Sequence, residues 1–240
     1  MTSAMILAAG RGERMRPLTD DTPKPLLPAG GKPLIVWQVE ALARAGFTDI
    51  VVNVAHRAEM LAAALGDGTA LGVHIRWSRE DEPLETAGGV ATASPLLRPG
   101  PVLIVSGDIW TCFDYASLAT RIVTMAADPV SPRVHLVMVP NPPYHPEGDF
   151  ALEHGRVTLA AGGRLTFGNI GIYDSALFSA LPRGVKLKML PLYRDWIERG
   201  IVSGERYAGP WANVGTPGEL RALDAMLANP SRGPSTRPGT

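Results

Sequence analysis

The sequence predicts an α/β fold, a mostly parallel sheet with helices on both faces and a small antiparallel insertion toward the carboxyl end. Three observations carry this. Apolar runs of strand length alternate with stretches whose apolar residues recur at helical spacing, beginning at residue 5. Several of the helical stretches open on proline or close on glycine, the usual punctuation of helix ends. Two of the apolar runs empty directly into polar turns, Gly-x-Gly at Gly10 and Gly-Asp at Gly107, where a parallel sheet gathers ligands at the carboxyl ends of its strands.

In chain order, Met5-Ile6-Leu7 is the first strand. Pro33 opens a helix that runs to Gly46, and Ile50 to Val54 is a buried strand. A second helix over His56 to Leu65 is stopped by Gly66-Asp67-Gly68, and Val73 to Trp77 is a third strand. An acidic and then glycine-rich turn, Glu80 to Val90, feeds a helix to about Leu97. Val102 to Val105 is a central strand, Tyr115 to Ala127 an amphipathic helix, and Val134 to Val139 another strand. From Asn141 the character changes, with Pro142, Pro143, Pro146 and Gly148 close together. Short β-type segments over 150–152, 156–159 and 164–167 read as the antiparallel insertion. A helix runs from about Met189 to Arg199 with Tyr193, Trp196 and Ile197 on its apolar side. Thr216 caps and Pro217 opens a last helix to Leu227. The expectation is one domain over 1–228, followed by a Pro/Gly/Ser/Thr-rich flexible tail over 229–240.

The composition narrows the function classes. Hydrophobic residues make up 45% and charged residues 19%, which is globular. Twenty-three basic residues balance 23 acidic ones, so no global field draws the chain to nucleic acid or to a membrane surface, and any anion must be held by a local cluster. Cys112, alone, excludes an intramolecular disulfide and fits a reducing compartment. No apolar stretch is long enough to span a bilayer, and Met1 to Leu7 is too short and uncharged for a signal peptide. A cytoplasmic protein is expected, monomeric or a small homo-oligomer.

The chemistry concentrates in the first 26 residues. Leu7-Ala8-Ala9-Gly10-Arg11-Gly12-Glu13-Arg14-Met15-Arg16-Pro17-Leu18-Thr19 is followed closely by Pro23-Lys24-Pro25-Leu26. Glycines free backbone N–H groups to converge on an anion, while Arg11, Arg14, Arg16 and Lys24 bring positive charge. A polyphosphate is the natural guest. A dinucleotide fingerprint would need a third glycine at Arg14 or Met15, and a Walker loop would need Gly-Lys-Ser/Thr, so both are poor matches. A second motif, Val102 to Trp110, ends a central strand in Gly107-Asp108. Read alone, Asp108 is either a turn aspartate capping its own backbone or a carboxylate placed for Mg2+, which prefers one or two carboxylates plus phosphate oxygens. In a third, Pro83-Leu84-Glu85-Thr86, paired Gly88 and Gly89 let backbone approach a flat base, while Glu82, Glu85 or Thr86 offers hydrogen bonds; the same residues also suit the start of a helix.

With these motifs in view, the chain resembles the sugar-1-phosphate nucleotidyltransferases, a family with a Rossmann-like fold. The likeness runs from Ala4 to about Leu223 and includes Gly107-Asp108-Ile109-Trp110-Thr111, Gly148-Asp149-Phe150 and Val214-Gly215-Thr216. Within the family it is nearest to short bacterial members that transfer UMP to N-acetylmuramic acid 1-phosphate in peptidoglycan recycling, with mannose-1-phosphate guanylyl transfer as the alternative. The resemblance implies a nucleotide half to about residue 110 and a sugar-phosphate half beyond it. It assigns Arg14, Lys24 and Asp108 to catalysis, and Ala8, Ala9, Gly10, Arg11, Gly12, Asn53, Glu82, Glu85, Thr86 and Gly88 to the nucleotide, UTP by preference. Asn141, Gly148, Asp149, Asn169, Gly171 and Lys188 fall to the sugar 1-phosphate, and Asp108 and Asn213 to Mg2+. Asn213 stands where most members have aspartate, which leaves open a nucleotide-sugar-binding module of low turnover. Lys188 is equally a helix-start lysine with no role, and His145 either a pocket donor or a solvated loop histidine.

Overall fold

The computed structural model describes residues 2–228. The flexible tail expected over 229–240 lies outside them. Thirteen strands and seven α-helices follow one another in those residues. The first strand, β1 (Ala4–Leu7), is followed by a small hairpin of β2 (Pro28–Ala29) and β3 (Lys32–Pro33), then α1 (Leu34–Arg44), β4 (Asp49–Val54), α2 (Ala58–Leu65) and β5 (His74–Arg79). Next come α3 (Glu85–Ala93), β6 (Pro101–Ser106), β7 (Ile109–Thr111), α4 (Ala119–Ala127) and β8 (Val134–Val139). The carboxyl-terminal half adds β9 (Phe150–Glu153), β10 (Arg156–Thr158), β11 (Arg164–Asp174), α5 (Ala176–Ser179), α6 (Met189–Glu198), β12 (Val202–Arg206), β13 (Trp211–Asn213) and α7 (Pro217–Ala228).

Nine of the strands form one sheet in the order β5-β4-β1-β6-β11-β8-β12-β10-β9. β1 lies between β4 and β6, parallel to both, so that Leu7 stands opposite Asn53 on one side and Ser106 on the other. All three strands therefore end at one edge, and the loops that follow them open side by side. Period-two alternation then builds a layer on each face. Ala4, Ile6, Ile50, Val52, Leu103 and Val105 pack with Ile35, Val39, Leu61 and Ile122 of α1, α2 and α4. Met5, Val51, Val102 and Ile104 pack with Val90, Tyr193 and Trp196 of α3 and α6. A third apolar cluster, Met15, Leu34, Trp110, Val214 and Leu220, seats the start of the phosphate loop against β7, β13 and α7.

Three elements differ from expectation. The helix expected from His56 begins at Ala58, because Arg57 sits in the left-handed region at φ 56°. The expected segment 164–167 is the start of an eleven-residue strand, which slips register between Phe167 and Gly171. That long strand runs antiparallel to β6 and to β8, and its first residues pair with β9. The expected insertion, β9 and β10, is thus the far edge of the main sheet and not a separate layer. No described helix is long and apolar enough to cross a membrane.

Candidate active site

The loop after β1 is shaped by its glycines. Gly12 adopts φ 65°, and a Cβ there would come within 3.0 Å of both Lys24 Cβ and Thr19 Cγ2, so only glycine leaves the loop closed over Lys24. The Thr19 hydroxyl donates to the Gly12 carbonyl at 2.8 Å and ties the far side of the loop down. Lys24, buried, reaches across to the end of β6 and donates to Asp108 Oδ2 at 2.5 Å. Residues from Gly10 to Arg14, with Lys24, Asp108 and Gly215, line a cleft of about 510 Å³. Arg14 is exposed and its guanidinium lies beside Gly215, where a Cβ would stand 3.2 Å from Nη2. The guanidinium at 14, the ammonium at 24 and the carboxylate at 108 therefore face one space. Arg16 turns away to a surface pair with Asp20 at 3.4 Å.

Asp108 is itself held from behind. Gln38 of α1 is buried, donates Nε2 to the Ile109 carbonyl at 2.7 Å and accepts from the Tyr115 hydroxyl at 2.6 Å. On the other side the Val214 N–H donates to the Asp108 carbonyl at 2.9 Å, and Ile109 pairs with Asn213.

Beside the phosphate cleft, a cavity of about 300 Å³ is lined by Ala9, Gly10, Asn53, Leu84, Glu85 and Thr86, with Asp108 shared. A buried chain of hydrogen bonds builds its floor. Asn53 Oδ1 accepts from the Ala8 N–H at 2.9 Å, Asn53 Nδ2 donates to Glu80 Oε1 at 2.7 Å, and Glu80 Oε2 accepts from the Leu84 N–H at 2.9 Å. Three loops from three strand ends are joined by one amide and one carboxylate. Burial pushes the Glu80 carboxyl above its ordinary range, and the hydrogen bonds from Asn53 and Leu84 oppose that rise. Both Glu80 oxygens accept, so Glu80→Gln sets a donor against the Asn53 or the Leu84 N–H. A loss of roughly 1–3 kcal/mol is expected, read as a fall of several degrees in thermal midpoint. An unchanged midpoint would show that the chain contributes nothing to stability.

Across the phosphate cleft lies a third cavity, about 430 Å³, with Asp149, Phe150, Asn169, Leu190, Trp211 and Asn213 among its walls, together with Tyr144 and His145. Tyr144, exposed, is one of its walls. Partial burial and then the Glu219 carboxylate push its hydroxyl up, Asn213 and Arg14 pull the other way, and Asp108 adds to the rise.

Of the residues expected from sequence, Ala9 to Gly12, Arg14, Lys24, Asn53, Glu85, Thr86 and Asp108 line the first two spaces, and Asp149, Asn169 and Asn213 the third. The others do not line these spaces. Ala8 is buried beneath the loop. Glu82 is exposed and bonded to Lys186 at 2.6 Å, which holds its carboxyl below the usual range. Gly88 is packed under the chain at Val185, whose carbonyl would be 2.2 Å from a Cβ. Asn141 donates to the carbonyls of Pro146 and Arg164, Gly148 closes against Asn141, and Gly171 lies under the Tyr173 ring. Lys188 is exposed at the start of α6. Glu80, Gln38 and Tyr144 carry no sequence expectation. Each matters through a partner far along the chain, and a row of acids at Glu80-Asp81-Glu82 does not say which one turns inward.

A family model described as nucleotidyl transferase matches residues 3–144, from β1 through β8. The chain belongs to the nucleotidyl transferase family. It is 45% identical over 227 residues to N-acetylmuramate alpha-1-phosphate uridylyltransferase of Neisseria meningitidis, spanning 93% of this chain and 97% of that protein. Against mannose-1-phosphate guanylyltransferase of Mycobacterium tuberculosis the identity is 36% over 115 residues, 48% of this chain and 32% of that protein. In structure, a Bacillus anthracis protein in complex with sucrose, provisionally described as a glucose-1-phosphate thymidylyltransferase, covers 100% of this chain with a TM-score of 0.83 at 20% identity. That likeness shows the nucleotidyltransferase to share its fold. Nucleotidyltransferases typically use a divalent cation. No group of three or more His, Cys, Asp or Glu gathers among the described residues, which leaves Asp108, lining two of the spaces, with the Asn213 amide on the neighbouring strand. One carboxylate and one amide oxygen are donors that suit a hard cation taking most of its ligands from water and phosphate.

Proposed function

We propose that this enzyme transfers UMP from UTP to N-acetylmuramic acid 1-phosphate, releasing pyrophosphate, as a cytoplasmic step in peptidoglycan recycling. The observation that carries the reading is the convergence of Arg14, Lys24 and Asp108 on a cleft flanked by two further cavities. The extent of the 45% likeness supports the substrates, since it runs across both halves of the chain, whereas the guanylyltransferase likeness covers 48% of it. The catalytic domain is residues 1–228, the nucleotide half reaching to about residue 110.

An acceptor phosphate oxygen attacks the α-phosphorus in line, so a new P–O bond forms as the bond to the β-phosphate breaks. Both reactants are anions, and the barrier is mutual repulsion together with the freedom lost on holding them in line. Gly10, Arg11 and Gly12 hold the triphosphate through backbone groups. Lys24 bridges the α-phosphate and the acceptor phosphate, and Arg14 stabilises the departing pyrophosphate. No general base is needed, because the attacking oxygen is already ionised. Held by Asp108 and Asn213, Mg2+ would supply charge neutralisation at the α-phosphate. The small cavity beside the loop takes the base, with Glu85 and Thr86 at its rim.

A pyrophosphate-release assay decides this. UTP and GTP are crossed with N-acetylmuramate 1-phosphate and mannose 1-phosphate in the presence of Mg2+. Turnover highest for UTP with N-acetylmuramate 1-phosphate is expected. A maximum at GTP with mannose 1-phosphate, or binding without turnover for every pair, would overturn it.

A further inference from the structure

We infer that the acceptor cavity contains a built recognition point for a carboxylate, with His145 as its donor and Asp149 as the residue that positions it. The inference rests on the proposed acceptor, whose lactyl ether ends in a carboxylate that N-acetylglucosamine 1-phosphate lacks.

The segment between β8 and β9 is stiffened at both ends. Asn141 Nδ2 donates to the Pro146 carbonyl at 2.9 Å and to the Arg164 carbonyl at 3.0 Å, and its Oδ1 accepts from the Thr166 hydroxyl at 3.0 Å. Gly148, at φ 61°, closes against that amide with no room for a Cβ. Asp149 is fixed through Oδ2, which accepts from the Phe167 N–H at 2.8 Å. Its Oδ1 is left for His145, whose Nε2 stands 3.2 Å away. A carboxylate only accepts, so the imidazole hydrogen sits on Nε2 and the ring is held in one tautomer and one orientation. The Nδ1 edge of a half-buried ring is then the edge offered to a ligand. Nδ1 bears no hydrogen in that tautomer, so a carboxylate is held there only with a second proton taken up on Nδ1, and Asp149 then faces the resulting charge from behind.

Three other polar groups of the cavity are already engaged. The Tyr193 hydroxyl pairs with Tyr173 at 2.6 Å, the Thr166 hydroxyl with Asn141, and Trp211 Nε1 donates to the Gly168 carbonyl at 2.9 Å. No Lys or Arg lines this space, so His145 is its one basic side chain among the described residues. Asn169, turned into the left-handed region at φ 58° by the slip in β11, adds an amide beside it. Phe150 and Leu190 supply apolar wall for the lactyl methyl.

The test is a ratio. kcat/KM with UTP is measured for N-acetylmuramate 1-phosphate and for N-acetylglucosamine 1-phosphate in wild-type, His145→Gln and Asp149→Asn proteins, each with its thermal midpoint. His145→Gln is expected to shrink the wild-type preference by about tenfold or more, through KM and not kcat, since charged hydrogen bonds are the strong ones. Asp149→Asn shrinks it less, because the ring keeps its place but loses its counter-charge. A preference that survives His145→Gln, or both acceptors weakened equally, overturns this inference alone. Wild-type protein that uses N-acetylglucosamine 1-phosphate as well as its lactyl ether overturns the acceptor assignment and this inference with it.

Discussion

Asp108→Ala is expected to lower kcat by at least about a hundredfold, the cost of removing one preorganised charge from the space where charge develops. Two functions end with that carboxylate. Its Oδ2 lies 2.5 Å from Lys24 Nζ in that cleft, and on the proposed reading it also anchors the metal donors. Its loss also leaves the Lys24 ammonium, whose side chain is 11% exposed, without its partner. A partly buried pair broken from one side costs up to roughly 3 kcal/mol, less here because the aspartate side keeps contact with water. The thermal midpoint should therefore fall with the rate. Asp108→Asn separates the two effects: the amide still accepts from Lys24, so the midpoint is expected to recover while the rate does not. The measurement is single-turnover pyrophosphate release alongside thermal melts. Full activity in either variant would remove Asp108 from the centre.

Arg14→Ala is expected to lose a hundredfold or more in kcat as well, by a different route. Arg14 sits on a short 3-10 turn, Glu13–Met15, whose Met15 is wholly buried in the apolar cluster under α7. The backbone is thus fixed while the guanidinium is exposed, with Gly215 beside it and the Gly215 N–H bonded to Glu219 at 2.7 Å. Removal of an exposed side chain should leave the midpoint nearly unchanged. The signature is a rate loss without a stability loss, opposite in balance to Asp108→Ala. Arg14→Lys should restore only part of the rate, since a point charge does not match two phosphate oxygens as the guanidinium fork does. Equal losses of rate and midpoint would recast Arg14 as structural.

How much of this was legible beforehand follows from how locally each feature is encoded. β1, β4, β6 and β8 announce themselves as largely apolar runs because they are covered on both faces, and the helices by their period and their flanking proline or glycine. The phosphate loop is a contiguous motif, so its residues fall together in space as they do in sequence. β11 was legible only at its start. Gly168 and Asn169 interrupt the pattern, and the slip they cause moves the face that each later residue presents. The Asn53–Glu80 pair was out of reach for another reason. Its bond spans 27 residues, and nothing in the letters distinguishes a buried carboxylate from the two exposed ones beside it. The same holds for Gln38, which reads as one polar residue in a helix until Ile109 is seen 71 positions away.

The long strand β11 has a consequence for how this enzyme family could diversify. It is hydrogen-bonded to the strand that delivers Asp108 and, a few residues earlier, to the strand that opens from the loop bearing His145. One continuous strand therefore sets the spacing between Asp108 and the loop bearing His145. Exchanging the proline-rich loop over residues 141–149 would alter the second without moving the first, while lengthening or breaking the strand would disturb both.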